Sequence, residues 1–77
     1  GFEMHFDKKG RGGKQVVVIR GFRGPTQQLS TLAKILKQQC GVGGSVKDGE
    51  IILQGNVRDK ATDYLKKEGY VTKRIGG

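Results

Sequence analysis

The dipeptide Asp48-Gly49 is the feature that most constrains the fold of this chain. A tight type I′ turn needs a positive φ angle at both central positions, and Asp-Gly is among the pairs that adopt this conformation readily. Residues 43–54 supply strand-like sequence on both sides of the pair, and the register of such a turn places Lys47 opposite Glu50. This segment is therefore predicted to form a β-hairpin.

Two further strands are predicted near the start of the sequence. Residues 2–7 alternate strictly between apolar and polar side chains, which is typical of a half-buried strand. Residues 15–20 contain the β-branched run Val16–Ile19, which is typical of a central strand. Residues 8–14 hold four cations and three glycines between the two strands, without an apolar residue. The pattern predicts a hairpin with a long cationic loop.

The middle of the chain predicts an amphipathic helix. Residues 24–26, Gly-Pro-Thr, form a start signal, with proline at the first helical position or threonine as the N-cap. Apolar residues then recur at helical spacing from Leu29 to Cys40, and Gly41 supplies a stop. Lys34 and Lys37 lie outside the apolar stripe, so we expect them to face solvent or a partner.

A second helix and a last strand complete the predicted fold. The apolar stripe of this second helix runs from Val57 to Leu65, with Asn56 as the N-cap and Gly69 as the stop. Residues 70–75 are predicted to form the last strand. The order β-β-α-β-β-α-β indicates an α+β fold, a two-layer sandwich of two helices on a mostly antiparallel sheet.

Charge is distributed unevenly along the sequence. The 77 residues carry 15 Lys and Arg against 7 Asp and Glu, a net charge of +8. No acidic residue lies between Asp7 and Asp48, a stretch with nine basic residues, whereas residues 48–77 carry six basic and five acidic ones. A face of one sign attracts polyanions over a Debye length of about 8–10 Å. This distribution favours a nucleic-acid partner over the alternative, a generically basic surface.

The composition also excludes several classes of protein. The single cysteine, Cys40, excludes an internal disulfide framework, and together with His5 it gives too few ligands for a zinc-finger type of site. No apolar run approaches the roughly 18 residues of a membrane span. The longest, Val16–Ile19, is also too short for the core of a signal peptide. We therefore expect one cytoplasmic domain over residues 1–77, with no metal, cofactor or membrane.

The loop of residues 8–14 is the first candidate for contact with RNA, and its alternative is a solvated hairpin tip. Cations and backbone N–H groups contact phosphates, which predicts affinity rather than sequence reading. Arg20 and Arg23 stay open between RNA contact and packing along the sheet. The loop cations are Lys8, Lys9, Arg11 and Lys14.

Other side chains are assigned structural roles. The five aromatic residues are expected in the core rather than as platforms for base stacking. Cys40 is expected to be a small buried hydrophobe, because the negative end of a helix dipole disfavours a thiolate. Arg58 either anchors phosphate or pairs with Asp48 or Glu50, and the pairing is favoured because both acids belong to the preceding hairpin.

The sequence resembles a known family, most specifically in its second half. Residues 40–49, Cys-Gly-Val-Gly-Gly-Ser-Val-Lys-Asp-Gly, precede Ile51, the run Leu53–Asn56 and Arg58. This pattern of a helix ending in cysteine, a Gly-Gly leading into a hairpin, and Leu-Gln-Gly-x-x-Arg resembles the translation initiation factor 1 family, the suppressor-of-initiation-codon group. The resemblance covers about residues 2–75, and the end of the chain is most similar to the short bacterial members.

The resemblance implies a non-enzymatic function on the small ribosomal subunit. Family factors bind near the P site, contact ribosomal RNA and help to discriminate start-codon pairing, and their basic hairpin loop approaches the initiator tRNA and the mRNA. Carried over, this implies roles for the loop cations, and an rRNA-facing surface at Lys34 and Lys37. We expect a monomer that needs no cofactor.

Two alternatives stay open at this stage. The first is a general RNA-binding or RNA-chaperone domain without specificity for the ribosome. The second is a small acyl-phosphate hydrolase, which is suggested by the two arginines in residues 20–24, Arg-Gly-Phe-Arg-Gly. Catalysis needs a second polar group that positions water, and none stands out, so no catalytic residue is assigned.

Overall fold

A computed structural model describes residues 1–9 and 14–76 of the chain. The described residues form five strands and two helices in the predicted order β-β-α-β-β-α-β, which confirms the α+β fold. The elements are β1 (Phe2–Lys9), β2 (Lys14–Arg20), α1 (Thr26–Cys40), β3 (Gly44–Lys47), β4 (Glu50–Gln54), α2 (Arg58–Lys67) and β5 (Thr72–Ile75).

The sheet has the strand order β3-β4-β2-β1-β5. All neighbouring pairs are antiparallel except β1 and β5, which run parallel. β1 pairs with β2 from Glu3 opposite Arg20 to Lys9 opposite Lys14, and Gln54 ends β4 beside Val16. We call the end of the sheet with Lys9, Lys14 and Gln54, where β1 is followed by β2 in the chain, the hairpin end. The strand register therefore puts Arg20 at the opposite end.

The β3–β4 turn is formed as the Asp-Gly signal predicts. Asp48 has a φ of 52° and Gly49 a φ of 75°, and Lys47 lies opposite Glu50. The pairing also explains Gly44, which lies against the neighbouring strand, since a Cβ atom there would lie 2.4 Å from the carbonyl oxygen of Ile52. The hairpin thus depends on glycine for its turn and for the close approach of its strands.

Both helices pack on one face of the sheet around a single apolar cluster. In α1 the predicted stripe is buried, and in α2 the buried apolar residues are Ala61 and Leu65. Alternate residues of the strands complete the cluster, because successive side chains of a strand point to opposite faces. The strand members of the cluster are Phe2, Met4, Val17, Ile19, Ile51 and Leu53.

The starts of both helices differ from the prediction by one residue. α1 begins at Thr26, so Pro25 occupies the N-cap position, with an extended ψ of 145°. α2 begins at Arg58, and the buried Val57 rather than Asn56 occupies its N-cap position, without a side-chain cap. The prediction of Asn56 as the cap was therefore wrong, because burial of Val57 delays the first helical turn by one residue. Neither helix among the described residues combines the length and the hydrophobicity of a membrane-spanning segment.

Candidate nucleic-acid interface

The cationic loop is carried by the hairpin end of the sheet. Lys8 is exposed near the end of β1, and Lys14 is exposed at the start of β2, where its backbone pairs with Lys9. Lys8 follows Phe6 on the helix-covered face of β1, whereas Lys14 shares the alternation of Val18 on the uncovered face. Arg11, the fourth predicted loop cation, lies outside the described residues. The base of the loop thus presents cations on both faces of the sheet.

Lys34 and Lys37 lie in the half of α1 nearest the hairpin end. The helix ends at Cys40, and the chain then returns to the sheet where the amide of Gln54 donates a hydrogen bond of 2.9 Å to the carbonyl of Gly43. Lys34 is exposed and Lys37 is half-buried. α1 contains no acidic residue, so both lysines lie on a helix of one charge sign.

The two candidate arginines lie at the other end of the molecule. β2 runs from Lys14 to Arg20, a distance of about 20 Å at about 3.3 Å per residue. Arg20 forms an ion pair with Glu50 on the neighbouring strand β4, with 2.5 Å between its Nε and the carboxylate Oε2. Arg23 is exposed in the connection to α1. The structure therefore divides the sequence-predicted cations into two separate groups.

Two further surface carboxylates, those of Glu3 and Asp59, are paired with basic side chains. The Nε2 atom of His5 lies 3.0 Å from Oε1 of Glu3, and this hydrogen bond lowers the pKa of the Glu3 carboxyl. Asp59 accepts a hydrogen bond of 2.9 Å from Arg74. Among the residues that the structure describes, the lysines at positions 8, 14, 34 and 37 form no such ion pair. These four charges are thus available to an anionic partner.

Arg58 has a different place from the one predicted. Its side chain is buried, with 5% of its surface exposed, and the guanidinium lies 5.6 Å from the centroid of the Phe6 ring. Its Nη1 donates a hydrogen bond of 3.1 Å to the carbonyl of Ile75. The guanidinium therefore packs over β1 and β5, while Glu50 pairs with Arg20, so the predicted pairing with the β3–β4 hairpin was wrong. Sequence reasoning missed this contact because it joins elements that are distant in the chain.

The aromatic residues gather mainly around Phe2. The ring of Phe2 stacks on Phe22 at 6.3 Å and meets Tyr70 edge-on at 5.2 Å. Phe2 is buried, as predicted, but Tyr70 is 42% exposed and precedes the last strand rather than belonging to it. Its backbone amide donates to the carbonyl of Leu65, which keeps the residue in the turn after α2.

Cys40 is buried, as predicted from its position in the helix stripe. Burial raises the pKa of its thiol above the ordinary value, and the nearby Lys60 opposes the change only in part. The thiol therefore stays protonated at neutral pH and contributes to the core as a small apolar group.

Comparison with known proteins assigns the family. Residues 3–71 match the family described as Translation initiation factor SUI1. The chain is 44% identical over 68 residues to the YciH protein of Escherichia coli strain K12, covering 88% of this chain and 63% of that protein. It is 46% identical over 61 residues to a protein translation factor SUI1 homolog of Methanopyrus kandleri, covering 78% of this chain and 58% of that protein.

A homolog with the same description in Sulfurisphaera tokodaii is 40% identical over 68 residues, covering 88% of this chain and 68% of that protein. The chain thus spans between 58% and 68% of the length of these three relatives. The family is one of translation factors and not a class of enzymes. With its glycine-dependent hairpin and the Leu-Gln-Gly-x-x-Arg stretch that leads into α2, this chain belongs to the translation initiation factor SUI1 family.

Proposed function

We propose that this chain binds the small ribosomal subunit near the P site, through ribosomal RNA, and influences start-codon selection. The observation that carries the proposal is the set of unpaired lysines on the hairpin end and on α1. Lys8 and Lys14 lie at the base of the loop, and Lys34 and Lys37 lie on the half of α1 that ends beside it. Membership of a translation factor family points to the ribosome as the source of the RNA. Lys9 and Arg11, within the loop, belong to the same proposal.

Phosphate contact is the chemistry that this surface favours. Lysine is a compact point charge that binds phosphate, and α1 carries hydroxyl and amide side chains of the types that also bind phosphate and sugar in nucleic-acid complexes. Strand β2, which lies at the centre of the sheet, is aliphatic between Val16 and Ile19. It therefore offers no row of aromatic rings on which bases stack. Recognition would depend on the shape and backbone of folded RNA, with the initiator tRNA and mRNA as neighbours of the loop.

The test is sedimentation of the protein with purified 30S subunits over a range of salt concentrations. The variant carries Lys8→Glu and Lys14→Glu, and the control carries Lys66→Glu and Lys67→Glu at the C-terminal end of α2, both exposed and both the same change in charge. The slope of log affinity against log salt concentration is negative, and each lost phosphate contact reduces its magnitude by about 0.7–0.9. We expect a shallower slope and weaker binding for the loop variant only. Equal effects of the two variants would contradict an interface at the hairpin end.

A general RNA-binding function is the second candidate, because phosphate contacts carry no sequence information. The same sedimentation experiment distinguishes it when a structured RNA unrelated to the ribosome is added as competitor. Retention of the protein on 30S subunits in the presence of excess competitor supports the ribosomal function. Displacement in proportion to the phosphate added supports the general one.

We infer no catalytic function for residues 20–24. Arg20 is held by Glu50, which neutralises one of the two arginines that an acyl-phosphate site would use. Arg23 alone supplies charge without a group that positions water. Turnover of an acyl phosphate that is lost in Arg23→Ala would overturn this inference.

A further inference from the structure

A charged side chain is buried beside the base of the proposed RNA-binding loop. Among the described residues, Arg58 is the one whose charged side chain is buried, with 5% of its surface exposed. Removing a guanidinium from water is unfavourable unless it gains partners. The groups that Arg58 contacts are therefore the partners that offset the cost of its burial.

The contacts of Arg58 join the start of α2 to two strands. Its guanidinium lies 5.6 Å from the centroid of the Phe6 ring on β1 and donates a hydrogen bond of 3.1 Å to the carbonyl of Ile75 on β5. Phe6 is followed on the same face of β1 by Lys8, one of the loop cations. The buried charge therefore packs on the last aromatic residue before the loop.

The other strand of the hairpin is held by the same connection. The backbone amide of Gly55, in the segment between β4 and α2, donates a hydrogen bond of 2.8 Å to the carbonyl of Gln15. Gln15 follows Lys14 directly in the chain and lies opposite Lys8 in the sheet. Residues 55–58 thus contact both strands where they enter the loop.

We propose that Arg58 is a positioning residue that fixes the base of the loop, so that Lys8 and Lys14 meet RNA phosphates in one set arrangement. This inference rests on the proposed function of the hairpin end. Charges that are ordered before binding lose less conformational entropy when the complex forms, and affinity rises accordingly. Arg58 itself is too buried to contact phosphate, so its effect passes through the groups that it contacts, among them the ring of Phe6.

The test uses a substitution that changes no charge. Phe6→Leu removes the ring on which the guanidinium packs and keeps an apolar side chain of similar size. We expect it to weaken binding to 30S subunits about tenfold. We also expect the magnitude of the salt slope to fall by the amount that corresponds to about one phosphate contact, although every lysine remains. Phe6→Tyr keeps the ring and is expected to restore parental binding. Phe2→Leu is the matched control, because it is the same change on the same face of the same strand, at the far end.

A second variant and a second measurement separate positioning from stability. Arg58→Lys keeps the charge but lacks the planar group that packs on a ring, so it is expected to reproduce Phe6→Leu, and the double variant to be no weaker than either alone. Binding is measured at a temperature where circular dichroism shows each variant folded. The heteronuclear NOE of the Lys8 and Lys14 amides in the free protein is expected to fall in Phe6→Leu and Arg58→Lys, and not in Phe2→Leu.

The outcomes distinguish this inference from the proposed function. If reversal of Lys8 and Lys14 weakens binding while folded Phe6→Leu and Arg58→Lys bind like the parent, the positioning role is wrong and the interface stands. If reversal has no effect, the interface itself is wrong, and the NOE alone then decides whether Arg58 orders the base of the loop. An unchanged NOE in both variants overturns the inference in either case.

Discussion

Cys40 shows how a single buried group makes the stability of this fold depend on pH. Its thiol lies in the core at the end of α1, and burial raises its pKa. In the unfolded chain the thiol titrates near its ordinary value of about 8.5. Between the two pKa values the folded state keeps a proton that the unfolded state has released.

The consequence is a loss of stability at alkaline pH. Because the folded protein binds more protons in that range, the free energy of unfolding falls as pH rises above about 8.5 toward the higher pKa of the folded state. We expect urea unfolding curves at pH 8, 9 and 10 to show this fall in the parent, and a smaller fall in Cys40→Ala. Alanine also leaves a cavity, so the comparison concerns the slope with pH and not the absolute stability. Parallel slopes in both proteins would contradict the assignment.

Arg58 marks the limit of reasoning from residue types alone. The sequence shows an arginine in the first turn of an amphipathic helix, where surface pairing is the ordinary outcome. The observed burial depends on a ring in β1 and a carbonyl in β5, which the fold brings together from the two ends of the chain. Neither partner has a local signal in the sequence around position 58.

Among the elements, the end of α1 and the start of β3 require glycine for two different reasons. Gly41 ends α1 with a φ of 68° and has open space where a Cβ would lie. Gly44 has a Cβ position only 2.4 Å from the carbonyl oxygen of Ile52. The first glycine is required by its backbone angle and the second by the neighbouring strand.

Alanine substitution is expected to affect these two positions differently. Gly41→Ala adds the strain of a left-handed residue, about 1 kcal/mol, and leaves the packing intact. Gly44→Ala forces β3 away from β4, and we expect a loss of about 1–3 kcal/mol together with faster amide exchange in β3. Urea unfolding and hydrogen exchange measure the two effects, with Gly41→Asn as a variant that tolerates the left-handed angle. Normal protection of β3 in Gly44→Ala would show that the strand accommodates the methyl group.

The elements that the sequence predicted well are those with local signals. The Asp48-Gly49 turn, the stripe of α1 and the alternation in β1 each define their element within a few residues. The start of α2 was predicted less well, because the burial of Val57 competes with the capping preference of Asn56. Whether a side chain fits the core is a property of the packed molecule, and no local pattern contains it.

At the scale of the whole molecule, the cations fall into two groups that the sequence could not separate. Lys34 shares the hairpin end with Lys8 and Lys14, whereas Arg23 lies at the other end of the sheet. The acid-free stretch in the sequence predicted a charged surface, and the glycine-rich loop was recognisable within it. The ion pair between Arg20 and Glu50 could not be predicted from the sequence, because it depends on the pairing of β2 with β4.

This division predicts unequal effects of two single charge reversals. We expect Lys34→Glu to weaken binding to 30S subunits and to reduce the magnitude of the salt slope by about 0.7–0.9, because it removes one proposed phosphate contact. We expect Arg23→Glu, the same change in charge at the far end, to leave the slope close to that of the parent. Sedimentation at several salt concentrations measures both. A larger effect at position 23 would move the interface to the opposite end of the molecule.

The parallel pairing of β1 with β5 has a consequence for how the chain folds as it is synthesised. Phe2 pairs with Thr72, so a residue of the first strand finds its partner only after the whole segment between the two positions has been synthesised. Until then one edge of β1 has no neighbouring strand, and contacts between such distant residues form slowly. The carbonyl that Arg58 binds also arrives with this last strand. Nascent chains stalled before position 72 are therefore expected to expose the edge of β1 to protease, and longer ones to protect it.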